Sequence, residues 1–121
     1  MRLTQDNLSS SAVLYLVAAV MSVALSYWVA SHQVIVNPDA ICYLLSANEI
    51  GQSGVRAAMQ LCGQSSWPLY SSLIYLLTKS NLFSLTSAAY FLDAVLTLIS
   101  VLSFIGIVKL LGGSRRVLWL A

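Results

Sequence analysis

Two long apolar runs, separated by a stretch of short mixed patches, set the pattern of this chain. Residues 12–30, AVLYLVAAVMSVALSYWVA, are 19 positions without a charge. At about 1.5 Å per residue they reach roughly 28 Å, close to the thickness of a bilayer's hydrocarbon core. A membrane helix is therefore predicted over about 12–31. Ser9, Ser10 or Ser11 is its expected cap. Tyr27 and Trp28 fall near the far end, where interfacial aromatics collect. A cleaved signal peptide is the alternative, with Val29-Ala30-Ser31 as the cleavage site, but the apolar part of such peptides is usually about 7–15 residues. The second run predicts a membrane helix over about 87–111, with Asp93 near its start and Lys109 near its end. A third run opens at Val117 and continues to Ala121, which reads as the start of a third span in the N-terminal part of a longer protein.

The stretch between the spans, about 32–86, predicts three short helices. Asn37-Pro38-Asp39 has the form of a helix start: a side-chain cap, Pro at the first position and an acid in the first turn. Wound at about 100° per residue, residues 39–50 place Asp39, Cys42, Tyr43, Ser46 and Glu49 on one side. Ala40, Ile41, Leu44, Leu45 and Ala47 fall on the other, with Asn48 among them. Such a helix suits the surface of a membrane. A second is expected over Val55–Cys62, ending at Gly63. A third is expected over about 68–79, with Pro68 early; it is too short to span a bilayer. The fold class is all-α membrane protein: two transmembrane helices, the start of a third, and a large loop carrying short amphipathic surface helices.

Composition supports this reading. The chain has 121 residues, 59% hydrophobic and 8% charged, against about 25% charged in soluble domains. The net charge of +2 gives no reason to expect a nucleic-acid partner. Lys109, at the end of the second span, and Arg115 and Arg116 just after it form a cluster, and positive charges in short loops stay cytoplasmic. The N-terminus is then also cytoplasmic and the loop external. The loop holds both cysteines, Cys42 and Cys62. An external compartment permits a disulfide between them, while free cysteines are commonly packed as small apolar residues. A bond needs Cα atoms within about 7 Å.

The order of motifs resembles a known family. A membrane helix is followed by Asp39, by Tyr43 four residues later and by Glu49 ten residues after the acid. A Gly-containing turn (Gly51, Gly54), Pro68-Leu69-Tyr70 opening an apolar helix, and a second membrane helix ending in basic residues complete it. This is similar to the N-terminal part of GT-C superfamily glycosyltransferases, such as the protein O-mannosyltransferases and the lipid A aminoarabinose transferases. The resemblance implies a polytopic membrane enzyme with a polyisoprenyl-phosphate sugar donor and an acceptor at the external face; the short loop helices favour a bacterial inner membrane over the endoplasmic reticulum. It places the catalytic acid at Asp39. Ala40 stands where the family often has a second acid, and Trp67 where it often has Lys or Pro. The first departure disfavours a metal held by paired carboxylates, so no metal ligand is assigned and a divalent ion stays open.

The chemistry fits that position. A hydroxyl acceptor must lose a proton as it attacks the anomeric carbon, and one carboxylate at the membrane boundary can take it. The departing phosphate needs cations, for which Arg56 and Lys79 are the loop's candidates. Tyr43, Glu49 and Tyr70 are candidate substrate contacts. Each has a plainer role beside the functional one. Asp39 can serve as a helix-start acid, Glu49 as part of a solvated face, Tyr43 and Tyr70 as interfacial packing, and Arg56 and Lys79 as exposed charges. His32 reads as interfacial, and Asp93 as either a functional intramembrane charge or one that reaches the interface. A small membrane scaffold without catalysis is the competing reading of the whole chain.

Overall fold

The computed structural model describes residues 3–32, 37–63 and 68–112, and among them there is no strand. Five α-helices follow one another: α1 (Leu3–His32), α2 (Pro38–Ser53), α3 (Val55–Ala58), α4 (Leu69–Lys79) and α5 (Leu85–Leu110). A 3-10 turn, Leu61–Gly63, lies between α3 and α4. Among the described residues two segments are long and apolar enough to cross a membrane, Ser11–His32 of α1 and Leu85–Leu110 of α5. The expected third span and the Gly113–Arg116 loop lie outside the described residues.

The first helix departs from expectation at its start. Ser9, Ser10 and Ser11 do not cap it, because α1 already runs from Leu3. Residues 4–11 contain no Pro or Gly, so nothing in their backbone stops the helix from extending outward past the apolar run.

The chain divides into two units, residues 1–29 with 94–121, and residues 30–93. In the first, α1 runs antiparallel to the later part of α5. Lys109 Nζ donates to Ser11 Oγ at 3.2 Å, and Gly106 faces the Tyr15 hydroxyl. Leu14, Ser22 and Ile105 are buried. Most other apolar side chains here, among them Leu16, Val20, Leu25, Ile99, Phe104 and Ile107, are exposed.

In the second unit α2 packs against α4 and α3. Its core is Ala47, Ile74, Ala88 and Leu92, surrounded by Tyr43, Leu44, Leu73, Tyr75 and Phe83 among others. The start of α2 follows the sequence reading, since Asn37 Oδ1 accepts from the Asp39 backbone N–H at 3.1 Å. The apolar side of that reading, suited to a membrane surface, is a separate matter from the side that packs on the protein. Ser46, Ala47 and Ile50 are buried, while Ile41 and Leu45 are 46% and 52% exposed. The protein-facing side is rotated roughly a third of a turn from the apolar side, at about 100° per residue. Small residues decide this. Ser46, Ala47 and Gly51 let α4 come close; a Cβ at Gly51 would stand 3.1 Å from the Tyr75 ring.

The second loop helix is shorter than expected. It stops at Ala58, and Cys62 sits at φ 56 in a kinked turn rather than in a helix over Val55–Cys62. The reason is covalent. Cys62 is bonded to Cys42 of α2, with Cα atoms 5.9 Å apart, and the chain must bend back to reach it.

Candidate functional site

Three helix starts in the second unit border one cavity of about 310 Å³. From α2 come Asn37, Ala40, Tyr43 and Leu44; from α4, Tyr70 and Ile74; from α5, Thr86, Ala89, Tyr90 and Asp93. Each helix reaches it within its first turns for a local reason. Asn37 fixes the start of α2. Pro68 precedes α4 and the Ser72 N–H returns to its carbonyl at 2.8 Å. Ser84 starts α5, its Oγ accepting from the Ser87 N–H at 3.2 Å.

Tyr70 organises the interior. Its ring meets Tyr43 edge to face, with centroids 5.0 Å apart and planes at 71°. Its hydroxyl donates to Asp93 Oδ1 at 3.1 Å and lies 3.3 Å from the Ala89 carbonyl. Burial pushes the Tyr70 phenol well above its ordinary range, and the negative charge of Asp93, the hydrogen bond to it and the neighbouring Tyr43 push the same way. The phenol therefore stays protonated and remains the donor.

Of the residues singled out in the sequence, the cavity brings Tyr43 and Tyr70 together. Asp39 lies on the first turn of α2, exposed, between the lining residues Asn37 and Ala40 but not itself in the lining. Glu49 is half-buried further along α2, about 15 Å beyond Asp39 at the helical rise. Arg56 is exposed on α3, and Lys79 is exposed at the end of α4. No Lys, Arg or His among the described residues lines the cavity. Among the described residues no three His, Cys, Asp or Glu side chains are grouped as a metal site.

Asp93, Asn37, Thr86 and Tyr90 enter the site without having been assigned to it from the sequence. Asp93 alone carried a signal, a charge inside an apolar span, which is costly and so commonly has a purpose. The others become neighbours only when α2 and α5 meet. No protein-family model, curated protein or solved structure matches this chain.

Proposed function

We propose that the protein is a membrane glycosyltransferase of the GT-C kind, passing a sugar from a polyisoprenyl-phosphate donor to an acceptor at the external face of a bacterial inner membrane. The observation that carries this reading is the place of Asp39. It is an exposed carboxylate on the first turn of a helix that begins at Pro38, just after the first candidate span ends at His32. A donor whose tail stays in lipid presents its sugar at that level, and Asp39 takes the acceptor's proton there. Tyr43 and Tyr70 flank the acceptor, Glu49 extends the polar side of α2, and Arg56 and Lys79 supply the cations that the departing phosphate needs.

Topology supports the same reading. The Cys42–Cys62 bond suits a compartment that permits disulfides. Lys109, with Arg115 and Arg116 beyond it, suits a cytoplasmic end for the second span and a cytoplasmic N-terminus.

The test is sugar transfer in membranes carrying the full-length gene product with Asp39→Asn. That change keeps size and helix-start preference but removes the base. A fall of about 10²-fold or more is expected; turnover near the wild-type rate at equal expression sinks the assignment. A non-catalytic scaffold is the second reading, favoured by the separation of Asp39 from the cavity lining. Under it, Ile41 and Leu45, both exposed on α2, are the contact surface, and Leu45→Asp rather than Asp39→Asn disrupts function.

A further inference from the structure

The Asp93 cavity has a chemistry of its own, independent of the transferase reading. Its polar groups are the Asn37 amide, the phenols of Tyr43, Tyr70 and Tyr90, the Thr86 hydroxyl and one carboxylate, Asp93. The only partner of that carboxylate among the described residues is a neutral phenol, the Tyr70 hydroxyl on Oδ1. A hydrogen bond from a phenol orients the carboxylate and leaves its charge uncompensated. Charges on apolar spans generally pair with an opposite charge. Among the described residues no Lys, Arg or His lines this cavity, so they leave the opposite charge to a ligand.

We infer that the cavity binds the ammonium group of an amine, with Asp93 as its counter-charge and the rings of Tyr43, Tyr70 and Tyr90 around it. Aromatic side chains favour cations over their faces, and phenol oxygens accept hydrogen bonds from an ammonium. At about 310 Å³ the space takes an ammonium head with a few carbons. An anion is the ligand that three helix starts would favour by themselves, but their pull is weakened here. The Asp39 N–H is taken by Asn37 and the Ser87 N–H by Ser84. The helix-dipole effect also fades within the first turn, and Asp93 lies eight residues into α5. The full negative charge therefore sets the sign of the site. The ammonium belongs either to a lipid headgroup, since the cavity wall includes the start of a candidate span, or to a free amine.

The test uses the whole protein in neutral detergent, with saturation-transfer NMR at fixed ionic strength. The probes are tetramethylammonium, ethylammonium and, as a neutral counterpart in shape, tert-butanol. Saturable transfer to the two cations and none to the alcohol is expected. Asp93→Asn should weaken cation binding at least about tenfold, and Asp93→Glu should retain part of it. Thr86 is exposed, so Thr86→Lys keeps the fold and should abolish binding by supplying the cation internally. Cation binding undiminished in both Asp93→Asn and Thr86→Lys, or tert-butanol binding as tightly as the cations, overturns the inference. Reconstitution separates the sources. Loss of the tetramethylammonium signal in phosphatidylethanolamine bilayers, but not in phosphatidylglycerol bilayers, assigns the site to a headgroup; its retention in both assigns it to a free amine.

Discussion

Gly54 ends α2 with φ 86 and ψ 171, and nothing stands within 4 Å of where a Cβ would be. Its constraint is therefore backbone alone. That region of φ/ψ space is open essentially to glycine, and other residues lose about 1–3 kcal/mol there. Gly54→Ala should destabilise the fold by that amount, read as a lowered denaturation midpoint with unchanged slope. Gly54→Asn should do no better, because the left-handed helical conformation that Asn tolerates needs a different ψ. Ser22 is the opposite case. Its Oγ is buried with no hydrogen-bond partner among the described residues, so Ser22→Ala removes a cost rather than a contact, and stability should hold or rise by up to about 1–3 kcal/mol. Tyr70 gives a residue-scale pH prediction. Its phenol is held above the unfolded value of 10.0. The folded state thus binds that proton more tightly, and this contribution is intact below about pH 10 and declines as pH rises further. In a phenolate-absorbance titration Tyr70 should ionise only above pH 10, and Tyr70→Phe should remove that high-pH step.

Among the elements, α2, α3 and the turn at Cys62 depend on one covalent link. Cys42 and Cys62 are 20 residues apart in sequence, and closing such a loop stabilises by about 3 kcal/mol in the chain-entropy model. Replacing both by Ala should lower stability by about 2–4 kcal/mol, measured by denaturation in detergent against the oxidised parent. Elements differ in how far the sequence alone determines them. The two long apolar helices were legible because length and uniform apolarity are local properties, and the start of α2 because Asn37-Pro38-Asp39 act within one turn. The packing of α2 on α4 was not, since it rests on close approach at Ala47 and Gly51, which hydrophobicity does not mark. The end of α3 was not, because a partner 20 residues away sets it. Within the cavity, Tyr43 and Tyr70 were accessible from motif order. Thr86, Tyr90 and Asp93 were not, because their proximity to Asn37 is created by packing between helices distant in sequence.

For the whole molecule, the proposed orientation makes a prediction that the disulfide sharpens. If residues between the two candidate spans face outward, Cys42 and Cys62 are consumed by their bond, and these 121 residues offer no free thiol to an impermeant maleimide. A single added cysteine then reports its own side of the membrane without any need to remove the native pair. Ser53 is the outer probe, exposed at the last position of α2. Ser114, just before Arg115 and Arg116, is the inner one. In intact cells Ser53→Cys should label and Ser114→Cys should not; after permeabilisation both should. The internal control is a gel shift on reduction, expected for every variant that keeps Cys42 bonded to Cys62. The charge argument rests on three cations near the end of the second span, against a loop in which Arg56 and Lys79 are offset by Asp39 and Glu49. Replacing Arg115 and Arg116 by Glu should therefore weaken the preference and yield a mixed labelling pattern. Labelling at 114 but not at 53 in intact cells would invert the topology, move Asp39 to the cytoplasmic face and remove the physical basis for an external transferase.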